Sequence, residues 1–361
     1  MTEKRYKDYA SELKKIFDGR VQKVSINAGF SCPNRDGKIG VGGCTYCNNQ
    51  SFTPDYCKSH KTITQQIDEG VLFFDHKYKN QKYIAYFQSF TNTYGCFEDL
   101  ISVYEEALGH DKVSGIVIGT RPDCVNDELL DYLAEKSKNK YVMLEYGVES
   151  TCDDTLQLIN RGHSFQVAID AIKATAQRGI FVGAHLILGL PCEDRPQLLD
   201  HAEKLSQLPI NCLKLHQLQI IKGTKMAKQF AENPEWFHLF SSEEYIDLVV
   251  DFLERLNPEI AVEEIAKKTN LSPNEVKECV EYWVDNGILK NGKAEDVVKT
   301  EKQVVTVEKP KIPLPEIRFT MPTQDEINAV LKKNGAVNRL FNEAQEIHGK
   351  TLGYTMQCTI Y

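Results

Sequence analysis

The feature that most constrains the fold is a regular alternation of short apolar runs and amphipathic stretches, which continues to about residue 256. Strands that are apolar on both faces and separated by helices are typical of a parallel sheet covered by helices on both sides. Six such units predict an α/β fold built as a TIM-like barrel or partial barrel. The predicted strands are residues 24–27, 83–87, 115–118, 141–145, 183–188 and 212–215, and the predicted helices include 97–108, 127–136, 165–178 and 195–208.

The segments that follow these strands are polar and glycine-rich, and they predict where chemistry takes place. Five of them share this character, at residues 88–93, 119–123, 145–150, 189–193 and 215–218. One such segment alone is ordinarily a strand-to-helix turn with a helix N-cap. In a barrel of parallel strands, however, the C-terminal strand ends meet at one rim, which is where active sites lie. The sequence therefore predicts an active site at this rim.

A loop with three cysteines follows the first predicted strand. Cys32, Cys44 and Cys47 have the spacing Cys-x11-Cys-x2-Cys, and no fourth cysteine follows at matching spacing. Ordinary electron-transfer clusters and structural zinc sites use four ligands, whereas three thiolates leave one iron of a cubane cluster open. Because Cys-x-x-Cys also occurs in zinc and dithiol redox sites, a zinc site completed by Cys57 or His60 is an alternative interpretation.

Composition limits the class of protein and its location. The 361 residues are 42% hydrophobic and 26% charged, which is typical of a globular protein with a sizeable core. The charged N-terminus and the lack of a long apolar run predict a cytoplasmic protein that does not enter a membrane. Eleven cysteines in such a chain favour metal chemistry in a reducing compartment over disulfides. The net charge of −8 gives no general affinity for nucleic acid.

Four further motifs, together with the cysteines, carry a resemblance to a known family. They are Thr120-Arg-Pro-Asp123, Gly147-Val-Glu-Ser150, Asn160-Arg-Gly-His163 and Gly189-Leu-Pro191. Over about residues 1–258 the chain resembles radical S-adenosylmethionine (SAM) enzymes of the YhcC/YtqA-like group, and it is similar to the catalytic subunit of Elongator. The resemblance implies a radical SAM partial (β/α)6 TIM-like barrel with a 4Fe-4S cluster on the three cysteines. It also implies reductive cleavage of SAM to a 5′-deoxyadenosyl radical, with reduced flavodoxin or ferredoxin as the type of electron donor.

The resemblance also implies which residues contact SAM. Tyr46 is similar to an aromatic residue that packs near adenine, with ordinary loop packing as the alternative. Arg161 resembles a residue that neutralises the SAM carboxylate, with a helix-end salt bridge as the alternative. Gln88 stands where many radical SAM enzymes carry a Gly-Gly-Glu motif, so only a contact with the SAM amino group is carried over. The complete implied set is Tyr46, Gln88, Glu149, Ser150, Arg161, Leu188 and Gly189.

Other histidines and cysteines near the rim are interpreted as structural. A lone histidine on a strand is more often a core or rim residue than a ligand, which applies to His163, His185 and His216. Scattered thiols are more often small buried hydrophobic residues, with a substrate-facing thiol as the alternative. The thiols concerned are Cys96, Cys124, Cys152 and Cys192.

The C-terminal part departs from the family pattern. Residues 259–292 predict a winged-helix-like segment, which includes a capping box at Ser272 and Glu275, with a small helical hairpin for protein contact as the alternative. Residues 293–316 predict a linker. Residues 317–361 resemble a fragment of a DnaD-like replication domain, which implies DNA or replication proteins as partners. A DNA-binding replication accessory protein with a vestigial N-terminal domain is therefore the alternative function.

The substrate is the least determined part of the interpretation. Similarity to the Elongator subunit suggests a wobble uridine in tRNA, while a small metabolite or a protein side chain remains open. The acidic net charge does not favour RNA, although Lys136, Lys138 and Lys140 are expected to form a local basic edge.

Overall fold

The structure is a computed structural model that describes residues 6–48, 53–75 and 81–263. Residues 264–361 lie outside this range, and so do the expected linker, the DnaD-like fragment and nearly all of the winged-helix-like segment. Within the described ranges, no helix is both long and apolar enough to cross a membrane.

The described residues form one parallel sheet flanked by helices. The strands lie in the order β1-β8-β7-β6-β5-β4-β3-β2, and all seven neighbouring pairs are parallel. Their bounds are β1 Lys7–Asp8, β2 Val21–Ile26, β3 Lys82–Phe87, β4 Val113–Thr120, β5 Tyr141–Glu149, β6 Phe181–Leu188, β7 Cys212–Gln217 and β8 Ala261–Glu263. The helices are α1 Tyr9–Phe17, α2 Ile63–Asp75, α3 Phe97–Leu108, α4 Asp127–Ser137, α5 Asp153–Leu158, α6 Phe165–Gln177, α7 Arg195–Ser206, α8 Lys225–Glu232 and α9 Ser242–Arg255.

Contacts across the inside of the sheet show that it is curled into a partial barrel. β2 and β8 stand near opposite ends of the strand order. Even so, Lys23 Nζ on β2 lies 2.7 Å from Glu263 Oε2 on β8 and 2.8 Å from Glu145 Oε1 on β5. A flat sheet would hold these strands far apart, because neighbouring strands are separated by about 4.8 Å. The two margins therefore face each other across a lumen.

The predicted α/β class and the six predicted strands are confirmed as β2 to β7, but the sheet contains two further short strands. β1 and β8 pair with each other, and β8 also pairs with β7. The sheet therefore continues to residue 263, past the expected end of the domain at residue 258. β8 occupies the first residues of the segment that was expected to be winged-helix-like.

The two ends of the lumen differ in chemistry. Helix α1 closes the end where the strands begin, because its apolar residues Tyr9, Leu13 and Phe17 are buried against the inner faces of the strands. The opposite end, where the strands finish, carries the polar segments predicted from the sequence.

Candidate active site at the C-terminal rim

The cysteine loop leaves β2 at the C-terminal rim and is folded by its own backbone hydrogen bonds. The amide of Arg35 donates to the carbonyl oxygen of Cys32 at 2.8 Å, and the amide of Cys47 donates to that of Cys44 at 3.1 Å. Gly43 has φ +77°, a left-handed conformation that favours glycine, and a Cβ there would lie 3.0 Å from Arg35 Nε. These turns bring the Cys44-x-x-Cys47 segment against the rim.

The loop is attached to the segment that follows α5. Thr45 N–H donates to Ile159 O at 2.9 Å, and Asn160 Nδ2 donates to Gly43 O at 2.9 Å. In return, Asn34 Nδ2 from the loop donates to Asn160 O at 2.6 Å. The Asn160 motif recognised in the sequence therefore serves as an anchor for the cysteine loop.

Arg161 connects this anchor to a cysteine. Its side chain is 8% exposed, and its Nη1 lies 3.5 Å from Cys44 Sγ. Its Nη2 donates to Gly147 O and lies 3.6 Å from Glu149 Oε1. Burial disfavours the charged guanidinium, but the neighbouring Tyr46, Cys44 and Glu149 outweigh it and raise the pKa of Arg161 well above its ordinary value. A permanent cation is thus held beside a thiol.

Comparison with known proteins identifies the family to which the chain belongs. A family model described as the radical SAM superfamily matches residues 32–205, and one described as the Radical_SAM C-terminal domain matches residues 210–275. The chain is 40% identical over 266 residues to uncharacterized protein YtqA of Bacillus subtilis, covering 73% of this chain and 81% of YtqA. The chain belongs to the radical SAM superfamily. It is a radical SAM enzyme whose substrate is not identified by these matches.

The radical SAM chain is also similar to further relatives and to a solved structure. It is 39% identical over 221 residues to protein YhcC of Escherichia coli, covering 61% of this chain and 70% of YhcC. It is 29% identical to Elongator complex protein 3 of Mus musculus over 152 residues, covering 41% of this chain and 26% of that protein. The archaeal Methanocaldococcus infernus Elp3 with an N-terminal deletion aligns with a TM-score of 0.54 at 15% identity, covering 74% of this chain and 64% of that chain. At this identity the structural likeness shows the fold alone.

The same matches correct one expectation about the C-terminal part. The family resemblance was expected to stop at residue 258, but the match to the radical SAM C-terminal domain continues to residue 275. Both matching family models are radical SAM models, and these comparisons do not support the alternative of a replication accessory protein.

Two of the three cysteines in the loop lie beside cationic side chains. Thiolates are the form that binds metal, and cationic neighbours favour that form. Arg161 lies beside Cys44. Burial raises the pKa of Cys47, and the neighbouring guanidinium of Arg35 offsets this only in part. Among the described residues, no three Cys, His, Asp or Glu side chains could hold a single metal ion. Each thiolate of a cubane cluster binds a different iron, so its ligands lie further apart than those of one ion.

The zinc interpretation finds no support in the position of Cys57. This residue is 1% exposed and belongs to the main hydrophobic core. Burial raises the pKa of its thiol to about 12, which disfavours the thiolate that a zinc ion requires. Cys57 is therefore an apolar core residue.

Several of the expected SAM contacts lie around the cysteine loop. Burial and the nearby Cys44 and Glu149 raise the pKa of Tyr46, a residue of the loop, well above its ordinary value. Glu149 ends β5 at a register irregularity and has φ +69°, a strained conformation of the kind found at functional sites. Ser150 is fully buried and donates to Glu193 Oε1 at 2.5 Å.

The remaining expected contacts lie on other strand ends of the same rim. Gln88 follows β3, and its Oε1 accepts a hydrogen bond from Ser25 Oγ at 3.2 Å. Leu188 is fully buried at the end of β6, and Gly189 has φ +90°. A Cβ at Gly189 would lie 3.0 Å from Phe240 Cε2, so a side chain there meets both backbone strain and a close neighbour. Leu188 and Gly189 thus form a closely packed wall with Phe240.

The structure also reveals a supporting residue whose role the sequence did not show. Arg121 is 2% exposed, and its Nη1 donates to Arg161 O at 2.8 Å. Its Nε and Nη2 each bind Asp123 at 2.8 Å in a two-point contact. The Thr120-Arg-Pro-Asp123 motif was the available signal, but only the fold shows that Arg121 fixes the backbone of Arg161.

A second buried network of polar side chains was not predicted from the sequence. His201 on α7 is 1% exposed, its Nδ1 lies 2.7 Å from Thr151 Oγ1, and its Nε2 lies 3.2 Å from Glu193 Oε1. Through Ser150, this network joins the end of β5 to α7. It stabilises the strand end that carries Glu149.

The structural interpretation suits the three histidines. His163 Nδ1 lies 3.1 Å from Ser164 O, and burial together with the charge of Arg161 lowers its pKa to about 3. His185 Nε2 lies 2.8 Å from Glu145 Oε2 inside the lumen, and its ring packs edge-on against His216. Each histidine thus has a defined contact that requires no metal.

The prediction that four further thiols are buried is wrong. Cys96 and Cys192 are exposed, and Cys124 and Cys152 are partly buried. Cys96 and Cys152 stand at the N-caps of α3 and α5, positions that lie at helix ends. The exposure follows from these turn positions, which a pattern of apolar residues does not reveal.

Proposed function

We propose that Cys32, Cys44 and Cys47 hold a 4Fe-4S cluster and that SAM binds beside it at the rim. The observation that carries this proposal is the contact of Arg161 Nη1 with Cys44 Sγ at 3.5 Å. It joins the cysteine loop to the end of β5, where the family motif Gly147-Val-Glu-Ser150 lies. When bound, the cluster and SAM together supply a 5′-deoxyadenosyl radical that removes a hydrogen atom from the substrate.

The chain's own residues bind, orient and shield the reactants. In this proposal Tyr46 packs near the SAM adenine, with Leu188 and Gly189 along its other side. Glu149 and Ser150 contact the ribose or the methionyl part. Gln88 contacts the amino group, and Arg161 faces the carboxylate. A carbon radical reacts with almost any nearby C–H group, so exclusion of water and tight positioning matter more than proton transfer.

The electron is proposed to come from a reduced protein of the flavodoxin or ferredoxin type. Radical SAM enzymes require a reductant, and the cysteine loop reaches the surface at its tip. Val41 in this loop is 75% exposed and Ile39 is 48% exposed. Exposed apolar residues this close to the cysteines suit contact with a small electron-transfer protein.

A wobble uridine of tRNA is the substrate class that we propose to test first. The similarity to Elongator complex protein 3 supports it. Near the cysteines, the guanidinium of Arg35 lies 5.7 Å from the centre of the exposed Phe90 ring, and Lys38 Nζ lies 5.2 Å from that of Tyr94. Basic groups beside exposed aromatic rings are typical of single-stranded nucleic-acid sites.

The basic edge expected from the sequence does not contribute to this rim. Lys136 pairs with Glu105, and Lys140 Nζ donates to Val113 O at 2.9 Å. Because Val113 begins β4 and Lys140 immediately precedes β5, these lysines lie at the N-terminal end of the barrel. They lie at the opposite end of the strands from the cysteine loop.

The cluster assignment is tested by anaerobic reconstitution of the full chain. We expect about four irons and four sulfides per chain, and a reduced-cluster EPR spectrum that changes when SAM is added. Cys44→Ala is expected to lose the cluster, while the matched control Cys152→Ala is expected to keep it. A full cluster in Cys44→Ala, or loss in both variants, contradicts the assignment.

The substrate class is tested separately by mass spectrometry of tRNA nucleosides from cells with and without the gene. We expect one modified uridine to disappear in the deletion strain and to return with the wild-type gene but not with the Cys44→Ala gene. An unchanged nucleoside profile, from a protein shown to cleave SAM, excludes tRNA and leaves the radical chemistry intact.

A further inference from the structure

The thiol of Cys44 receives hydrogen bonds from two buried side chains, and Cys47 lies beside a cation. Cys44 Sγ is approached by Arg161 Nη1 at 3.5 Å and by Asn34 Nδ2 at 3.7 Å. The guanidinium of Arg35 lies beside Cys47, where its Nη2 donates to the backbone oxygen of Cys47 at 3.1 Å. Sulfur accepts hydrogen bonds at longer distances than oxygen, so the two contacts with Cys44 Sγ are within its normal range. The cysteine loop therefore has its own set of N–H donors to sulfur.

The donors are aimed at sulfur by contacts that do not involve sulfur. Arg161 is held by Gly147 O through its Nη2 and by Arg121, which binds its backbone oxygen at 2.8 Å. Gly147 has no side chain, and a Cβ there would lie 2.4 Å from Arg161 Nη2. Asn34 is held by Asn160 O at 2.6 Å. The two donors to Cys44 are consequently held in place by contacts other than those with sulfur.

We infer that Arg161, assisted by Asn34 and Arg35, raises the reduction potential of the cluster. Arg161 and Asn34 do so by donating hydrogen bonds to the thiolate of Cys44, and Arg35 does so by placing its positive charge beside Cys47. This inference rests on the proposed function, because it requires the cluster on those cysteines. Hydrogen bonds to cluster sulfurs and the net charge around a cluster both set its potential. The reduced cluster carries one more negative charge, so a nearby cation and its N–H groups stabilise it more than the oxidised cluster.

The surroundings of the donors predict the order of their effects. Arg161 is charged and buried, so its interaction with sulfur is only weakly screened by water. Arg35 is partly exposed in the loop, so solvent weakens its contribution. Asn34 is buried but neutral. We expect the largest effect from Arg161 and smaller effects in the same direction from the other two.

This role differs from the one implied by the family resemblance, in which Arg161 neutralises the SAM carboxylate. A residue that acts only on SAM leaves the potential of the SAM-free cluster unchanged and weakens SAM binding. A donor to Cys44 changes that potential when no SAM is present. The two roles are thus separated by a measurement on the cluster alone.

The test is an anaerobic redox titration of the reconstituted full chain without SAM, with the reduced cluster followed by EPR at set potentials. Arg161→Gln is expected to shift the potential to a more negative value, and Arg35→Gln and Asn34→Ala are expected to shift it less in the same direction. Arg161→Lys keeps the charge and is expected to shift it less than Arg161→Gln. The control is Arg178→Gln, which removes an exposed pairing with Asp127 and Asp131 and is expected to leave the potential unchanged.

The outcomes distinguish this inference from the proposed function. Absence of a cluster in the wild-type chain contradicts the proposed function itself. Wild-type potentials in Arg161→Gln and Asn34→Ala, with full iron content, overturn the inference alone, as does a shift in Arg161→Gln that appears only after SAM is added. If Arg161→Gln takes up no cluster, the potentials of Asn34→Ala and Arg35→Gln decide the question. A shift of these potentials to more negative values supports the inference, and wild-type potentials overturn it.

Discussion

Lys23→Met tests whether the curled sheet is held by the charge cluster in its lumen. Lys23 Nζ lies 2.8 Å from Glu145 Oε1 and 2.7 Å from Glu263 Oε2, and the three side chains are 13%, 2% and 16% exposed. The substitution keeps an unbranched side chain of similar length but leaves two largely buried carboxylates without this cation. It therefore removes the link between β2, β5 and β8 with little change in volume.

The expected loss is about 3–5 kcal/mol in the free energy of unfolding at pH 7, the range for breaking one partner of a buried ion pair. Although burial opposes it, Lys23 holds the pKa of Glu145 well below its ordinary 4.5, and the two glutamates likewise hold that of Lys23 well above its ordinary 10.5. The lowered carboxyl pKa contributes stability above pH 4.5, which is lost as the pH falls further. The raised amine pKa contributes stability below pH 10.5, which is lost at higher pH. The difference between wild type and variant should thus be greatest between these limits.

Urea unfolding followed by circular dichroism at pH 7 and pH 4.5 measures this difference. The matched control is Lys204→Met, which removes an exposed helical pair with Asp200 at 2.7 Å and is expected to change stability by only about 0.3–0.5 kcal/mol. A loss in Lys23→Met as small as in Lys204→Met, or one that grows on acidification from pH 7 to pH 4.5, refutes the reasoning.

Three further predictions concern the rim and the helices. Gly147→Ala is expected to displace the Arg161 guanidinium, because the added Cβ would lie 2.4 Å from Nη2, and to lower iron uptake on reconstitution; wild-type uptake would contradict this. The imidazole of His163 is expected to show no NMR titration between pH 5 and pH 8, because its pKa is lowered to about 3, and a midpoint within that range would disprove its burial beside Arg161. Ser241→Ala removes the capping box at the start of α9 and is expected to reduce the free energy of unfolding by about 0.5–2 kcal/mol, whereas an unchanged urea midpoint would show that the cap is dispensable.

Most helices and strands could be predicted from local sequence patterns. The elements that were not predicted carry no such pattern. Helix α3 has its predicted bounds, because Leu100, Tyr104 and Leu108 recur at helical spacing and are all buried. Strand β5 continues four residues past its predicted end at Glu145, because this charged residue interrupts the apolar run from which the strand was predicted. The sequence cannot show that Lys23, from a distant strand, neutralises it. β1 and β8 are too short to carry a pattern, and only their pairing defines them.

The candidate site likewise contains residues that a local sequence pattern predicts and residues that only the fold brings together. The three cysteines are predictable because their spacing within one loop carries the information. The contact between Arg121 and Arg161 joins positions 40 residues apart, and the network of Thr151 and His201 depends on the packing of α7 against β5. No local pattern encodes such contacts, so only the fold reveals which polar residues support the cysteine loop.

The most direct test of the central assignment is the formation of 5′-deoxyadenosine from SAM by the reconstituted chain under anaerobic conditions with dithionite. We predict that the wild-type chain and Cys152→Ala release 5′-deoxyadenosine and methionine in equal amounts, and that Cys44→Ala releases neither above background. SAM left intact by a wild-type chain with full iron content, or equal product from Cys44→Ala, would contradict the account.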